Sequence, residues 1–131
     1  MVADAPSWSE VWAQVQKLLT GKTMLIYNAD FDTRMIRNNC KRHNLSYIPF
    51  ESFCVMQTYA EFVGSYSKDQ RDFTWVGLVD AAYDLDIQII GSHRAKADCI
   101  TCARIINRIV AKRRVEVESA KKLSPYNCVK S

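Results

Sequence analysis

The sequence lacks several features that would separate it from ordinary globular domains. No apolar run approaches the roughly 20 residues that a helix needs to span a bilayer, so no membrane association is expected. Residues 1–6 show neither a basic segment nor a following apolar stretch, so they do not resemble a signal peptide. Internal repeats and low-complexity segments are also missing. These absences predict a cytoplasmic globular protein.

Cysteine is present, but in a pattern that excludes a secreted disulfide framework. The five cysteines are odd in number and irregularly spaced. Cys99 and Cys102 form a CxxC motif, which would indicate a redox pair or half of a zinc site, yet no second pair of ligands is apparent. Both lie in a strongly helical stretch, so the favoured interpretation is that they are small core residues.

Charge divides the chain into two parts. The 131 residues are 48% hydrophobic and 24% charged, which suits one domain with a core. Residues 1–110 are neutral overall, whereas residues 111–131 carry the whole net charge of +4. We therefore predict a domain over 1–110 and a basic tail over 111–131. The tail either steers the protein toward phosphate backbones or is a solvated helix end, and both alternatives stay open.

The predicted elements follow the order helix, strand, helix, strand, helix, helix, helix. The first helix opens with a capping box at residues 7–10, and its apolar stripe predicts core roles for Trp8 and Trp12. Two apolar runs, at 23–27 and 52–55, are too short for helices and predict buried strands. Strands that alternate with helices predict an α/β fold, although two strands are few for such a sheet.

The second half of the chain is predicted to be helical. A helix over about 73–83 places Val76, Val79 and Tyr83 on one apolar stripe. The last helix is predicted from about His93 to beyond Val110, where it passes into the basic tail.

Carboxylates cluster where the first predicted strand ends. Asn28-Ala29-Asp30-Phe31-Asp32 follows this strand at the start of a helix. Ligand sites of α/β sheets gather at the carboxyl ends of strands, and carboxylates there can hold a hard divalent cation. The alternative is helix capping by Asp30 or Asp32, and the spacing alone favours capping.

A second constellation stands at the start of the last helix. His93 precedes Asp98 by five residues. An imidazole titrates near neutrality and can take a proton from water, and a carboxylate beside it could ligate a metal. Alternatively, His93 is a surface cap and Asp98 a charge on the helix face, an interpretation that the motif taken alone would favour.

Taken together, the two motifs resemble those of the DEDDh 3′→5′ exonucleases, the family that includes the proofreading epsilon subunit of bacterial DNA polymerase III. Residues 28–32 match the second motif, N-A-x-F-D, and residues 93–98 match the third, H-R-A-x-x-D, at a typical distance. The resemblance covers residues 1 to about 110. It implies a ribonuclease H-like α/β fold that is incomplete, because the N-terminal strands of the family's sheet are absent.

The resemblance also implies roles for single residues. Asp32 and Asp98 would bind metal, and His93 would be the general base. Asn28 and Phe31 would contact the substrate, whereas Asp30 falls on a variable position of the motif. The implied cofactors are two Mg²⁺ or Mn²⁺ ions. The implied partners are a single-stranded 3′ end of nucleic acid and a DNA polymerase.

The family's first motif, D-x-E, does not occur at the end of an apolar strand in this chain. It would supply two of the four metal-binding acids and is expected before residue 1, together with three strands. We therefore expect weak metal binding and little turnover from the chain alone, and self-association through an open edge of the strand at 23–27. The alternatives are a non-catalytic nucleic-acid-binding or polymerase-associated remnant, and an unrelated α/β interaction domain.

Overall fold

The computed structural model of the chain describes residues 4–68, 72, 74–91 and 94–123, with side chains through residue 119. Its elements follow the predicted order and are α1 (Trp8–Leu19), β1 (Thr23–Ile26), α2 (Ala29–Arg42), β2 (Glu51–Cys54), α3 (Val55–Val63), α4 (Leu78–Asp84) and α5 (Ala95–Leu123). None of the helices in these ranges is both long and apolar enough to cross a membrane.

The chain divides into two compact units, Met1–Thr58 and Tyr59–Ser131, with the boundary inside α3. The first unit contains α1, both strands and α2, and its buried side chains include those of Trp12, Cys40 and Val55. The second unit contains α4 and α5.

β1 and β2 pair in parallel, with Leu25 opposite Phe53 and Ile26 opposite Cys54. Parallel neighbours need a crossover connection, and α2 supplies it and packs on both strands. A helix-rich α/β unit with a small parallel sheet confirms the predicted fold class, and it is consistent with an incomplete ribonuclease H-like fold.

One face of this sheet is poorly covered. Cross-strand partners project to the same face, and the partners Leu25 and Phe53 are 47% and 40% exposed. Within the described ranges β1 pairs with β2 alone, so its other edge is open. The first unit therefore presents apolar surface beside an unpaired strand edge.

Helix α1 is fixed by its start and by one tryptophan. The N–H of Ser7 donates to the Glu10 carboxylate at 2.6 Å, which confirms the capping box. Trp12 is buried, and its indole N–H donates to the Ser46 carbonyl at 2.9 Å. The rings of Trp8 and Trp12 stack with their centroids 5.3 Å apart. The core role is therefore confirmed for Trp12, while Trp8 is half-buried.

Helix α4 differs from its prediction. It begins at Leu78 because Gly77, the N-cap, is extended, and Phe73 lies outside the described residues. Val79 and Tyr83 were predicted to share an apolar stripe, yet they are 46% and 83% exposed. The buried stripe is instead formed by small and aliphatic side chains at helical spacing, which are those of Ala81, Ala82 and Leu85.

Helix α4 packs against α5, whose buried side chains form a stripe at Cys102, Ile105 and Ile109. α5 continues without a break past residue 110 to Leu123, and residues 110–119 are all exposed. The expected core position is correct for Cys102 and wrong for Cys99, which is exposed. The described cysteines Cys40, Cys54, Cys99 and Cys102 form no disulfide.

A buried tyrosine anchors α3 to α4. Tyr59 is fully buried, and its hydroxyl donates to the Asp84 carboxylate at 2.7 Å. Burial, together with the hydrogen bond to Asp84, raises the pKa of Tyr59 to about 12. Since the raised pKa favours the neutral phenol in the folded state, the stability that it contributes is complete below pH ~10 and is lost as pH rises toward 12.

We expect Tyr59→Phe to remove this alkaline sensitivity. The ring still fills its site, and the exposed Asp84 can bond to water, so the variant should lose only about 1 kcal/mol at pH 7. Urea denaturation from pH 8 to 11 measures both effects. The exposed Tyr83→Phe is the matched control and should leave the pH profile unchanged. An equal response of the two variants would contradict the assignment to Tyr59.

Candidate active site

The turn between β1 and α2 holds the first motif in a constrained backbone. Asn28 caps α2 with φ 108° and ψ 63°, in the left-handed region. Its carbonyl accepts the N–H groups of Phe31 at 3.1 Å and Asp32 at 3.3 Å, which starts the helix directly after the strand. Asparagine is among the few residues that tolerate positive φ, at a cost of order 1 kcal/mol or more.

Helical phase places Asp32 beside the buried side of α2. Ala29 and Cys40 are buried, and Thr33 and Ile36 are half-buried, on one stripe of the helix. Asp32 lies one turn before Ile36, at the margin of this stripe. Although Asp32 is exposed as a whole, partial desolvation raises the pKa of its carboxyl. Above this raised pKa the carboxylate is ionised although it is partly desolvated, which costs the folded state some stability. A nearby cation would offset that cost.

Asp30 has a different environment from Asp32, although both belong to the first turn of α2. It forms an ion pair with Arg34 at 3.4 Å, and both side chains are largely solvated. Such a pair contributes little to stability. Asp30 therefore belongs to the solvent-facing side of α2, away from the stripe that Asp32 borders.

The two expected substrate contacts lie at the same turn. Asn28 is half-buried, and the ring of Phe31 is 48% exposed. An exposed aromatic ring in the first turn of α2 presents a flat apolar surface to a ligand.

Asp98 lies in the first turn of α5 and shares the buried stripe of that helix. Cys102, Ile105 and Ile109 follow it by four, seven and eleven residues, which is the spacing of one helix face. Its side chain is half-buried, and its N–H donates to the Arg94 carbonyl at 3.0 Å. Asp98 is thus a carboxylate that continues an apolar stripe and not a charge on the solvated face.

His93, the expected general base, lies outside the described residues. Asp32 belongs to the first compact unit and Asp98 to the second. The convergence of Asp32, His93 and Asp98 on one pocket stays a prediction.

The two acids suit hard divalent cations in their chemistry, because carboxylate oxygens are the ligands that Mg²⁺ and Mn²⁺ prefer. The described residues include no ion pair at Asp32 or Asp98, so neither carboxylate is neutralised there. However, no group of three or more possible ligands among His, Cys, Asp and Glu occurs in the described ranges. Each acid can therefore supply a ligand of the kind that such a cation needs.

Sequence reasoning missed a set of cations on α5. Lys96, Arg104 and Arg108 are exposed and line two cavities beside the helix. Their spacing of eight and four residues was visible in the sequence and spreads them over about 120° around a helix. The cavities could not be predicted from the sequence, because the segment that follows α4 forms part of their lining.

Comparison with known proteins gives the family. The exonuclease (RNase_T) family model matches residues 1–106. The chain is 34% identical over 116 residues to a protein of Escherichia phage 186 named as an uncharacterized exonuclease, CP81. This match covers 83% of the chain and 59% of the phage protein, so the chain spans less than two thirds of that relative's length. No solved structure matches the chain.

The chain belongs to this exonuclease family, and its motifs at residues 28–32 and 93–98 are those of DEDDh-type members. The resemblance drawn from the sequence is therefore confirmed. Members of the family normally use divalent metal ions and act on nucleic acid.

We expect Asn28→Gly to stabilise the fold by about 0.5–1 kcal/mol, because glycine adopts positive φ without strain. Asn28→Ala should destabilise it by about 1 kcal/mol. Urea denaturation measures both changes. Asn44→Gly is the matched control: Asn44 has a φ of 53°, close to the ordinary left-handed minimum, and should gain less. A loss of stability in Asn28→Gly would show that the asparagine side chain outweighs the backbone strain.

Proposed function

We propose that the chain supplies two metal-binding acids and the general base of a 3′→5′ exonuclease. Asp32 and Asp98 hold divalent cations, and His93 takes the proton from the attacking water. One observation carries the proposal: each acid lies in the first turn of a helix, at or beside a buried stripe, whereas the neighbouring Asp30 faces solvent. Carboxylates that only capped or solvated their helices would not need this placement.

The proposed substrate is a single-stranded 3′ end. The exposed ring of Phe31 stacks on a base of the terminal nucleotides, and the amide of Asn28 orients it by hydrogen bonding. In this assignment residues 1–110 are the exonuclease portion, and the basic segment 111–131 adds attraction for the phosphate backbone. A DNA polymerase is the proposed protein partner, in line with the resemblance to proofreading subunits.

The cations in a site of this class activate water and stabilise the developing charge on the leaving oxygen. Asp32 and Asp98 together offer two negative charges, half of what a four-acid site places around two divalent ions. Because two such ions repel strongly unless carboxylates screen them, the 131-residue chain by itself should bind metal weakly and turn over little substrate. Mg²⁺ and Mn²⁺ are the proposed ions.

A second function is favoured by one observation. Since the described residues include no third ligand beside either acid, nucleic-acid binding without hydrolysis is the alternative activity for the chain alone. Salt-dependent binding of single-stranded DNA without release of nucleotides would support it. An in-frame strand with a D-x-E motif in the coding sequence upstream of Met1 would support the complete nuclease.

We expect Mn²⁺ to broaden the NMR signals around Asp32 and Asp98 selectively in the 131-residue chain. Asp32→Asn should remove the broadening near residue 32, because the neutral amide is a much poorer ligand for a hard cation. Titration of ¹⁵N-labelled protein with substoichiometric Mn²⁺ measures the effect for each residue.

The matched control is Asp30→Asn, which removes the same charge two residues away from a solvated ion pair. This control should leave the broadening intact. Equal losses in Asp30→Asn and Asp32→Asn would mean diffuse attraction of the ion to the helix start, and the assignment of Asp32 as a ligand would be wrong.

We also propose that the chain alone self-associates through its exposed sheet face and the open edge of β1. Light scattering over a concentration series should show a mass that rises with concentration. Leu25→Thr, which keeps a strand-forming residue, should reduce this rise. Leu18→Gln removes a leucine on α1 that is more exposed than Leu25, at 63% against 47%, and should not reduce the rise. A monodisperse monomer at all concentrations would contradict the proposal.

A further inference from the structure

A groove with cationic walls runs along one side of α5. Two cavities of about 420 Å³ each lie against the helix and share Arg104 in their linings. Arg94 and Lys96 line the cavity nearer the start of the helix, and Arg108 lines the other. The segment 86–91, which follows α4, forms the opposite wall. We name this feature the cationic groove and define it by Arg94, Lys96, Arg104 and Arg108.

The charge of the groove is unbalanced. The two linings contain these four cations and one acid, Asp86, for a formal charge of +3. Among the described residues none of the four cations forms an ion pair. Arg104 is held in place instead, because its guanidinium donates to the Gln88 carbonyl at 3.1 Å. A concave surface with several uncompensated cations attracts an anion more strongly than scattered surface lysines do.

The dimensions of the groove indicate which anion fits. Lys96 and Arg108 are twelve residues apart, or about 18 Å along the helix axis. A single phosphate would occupy a small part of that length. Ile90 and Ile100 contribute apolar lining to the cavity nearer the start of α5, where a sugar or base can lie beside the charged side chains. An extended strand with repeating phosphates matches the groove in length, charge and apolar lining.

Asp98 lines neither cavity, although the groove cations differ in their angular distance from it: Lys96 lies about 160° away around the helix axis and Arg108 about 80°. Arg104 follows Asp98 by six residues, which places the two about 120° apart around the helix axis. Ile100 is still farther around, at about 160° from Asp98. Asp98 belongs to the stripe that ends in the buried Ile105 and Ile109, whereas the groove cations are exposed. Asp98 is therefore outside the lining of the groove.

We propose that the cationic groove binds the phosphate backbone of a nucleic-acid strand at a position away from the scissile bond. The identification of the polyanion as a nucleic acid rests on the proposed nuclease function. Binding in the groove itself requires neither a metal ion nor hydrolysis. Such a contact would hold the strand while its end is at the active site.

The test is binding of a fluorescently labelled single-stranded oligonucleotide to the 131-residue chain in EDTA, followed by anisotropy over a range of salt concentrations. The groove variant is Lys96→Gln/Arg108→Gln, which spares the Arg104 hydrogen bond. It should lower the slope of log affinity against log salt by about 1.4, or about 0.7 for each lost phosphate contact, and should weaken binding about tenfold near 0.1 M salt.

The matched control is Lys41→Gln/Arg42→Gln, which removes the same charge from the exposed last turn of α2. Its salt slope should equal that of the wild type. An unchanged slope in the groove variant, or an equal decrease in the control, would overturn the proposal. Should the double groove variant lose its helical circular dichroism, each single variant must lower the slope by about 0.7 for the proposal to stand.

A competition with inorganic phosphate at constant ionic strength distinguishes a strand from a small anion. Millimolar phosphate should displace little of the oligonucleotide, because one phosphate replaces only one of several contacts. Complete displacement would show a small-anion site and overturn the proposal. All of these measurements are made without divalent metal, so failure of the groove leaves the assignments of Asp32 and Asp98 intact. Their failure likewise leaves the groove intact.

Discussion

The left-handed turn at Asn28 is the constraint on which the first unit depends. β1 ends at Ile26 and α2 begins at Ala29, so the chain has two residues in which to change from strand to helix. The positive φ of Asn28 allows this, and its carbonyl then accepts the N–H groups of Phe31 and Asp32. The phase of α2 is thereby fixed relative to the strand. A shift of the phase by two residues that brought Asp30 to the present position of Asp32 would move Asp32 to the present position of the solvated Arg34.

Packing stabilises the phase of α5. Ile105 and Ile109 are fully buried, and burial of each stabilises the fold by about 1.5–3 kcal/mol. Any rotation of the helix that brought Asp98 into solvent would expose these two side chains as well. The stripe therefore stabilises the half-buried position of Asp98, although a carboxylate gains nothing from partial burial by itself.

The sequence predicted the order of the elements and the place of the two acids, because strand length, helical spacing and the paired motifs are local properties. It failed at α4, where two stripes were possible. Val76, Val79 and Tyr83 are the more apolar set, yet Ala81, Ala82 and Leu85 are buried. The small alanine side chains allow α4 to approach α5 closely. Periodicity in the sequence does not show whether such close packing is favoured over burial of larger side chains. The φ of Asn28 was equally invisible, since several backbone conformations suit the same residues until the strand and the helix are both in place.

The distribution of charge on α5 follows from what its two sides are proposed to do. A site for divalent cations needs a negative potential, whereas a surface for phosphates needs a positive one. If the acid and the groove cations shared one side, they would pair at about 4 Å, and each would cancel the other's attraction for its ligand. Across a helix of about 10 Å diameter the interaction is weakened by distance and by salt, whose screening length is about 8 Å under physiological conditions. The separations of about 120° between Asp98 and Arg104 and about 160° between Asp98 and Lys96 would let one helix serve both proposed ligands.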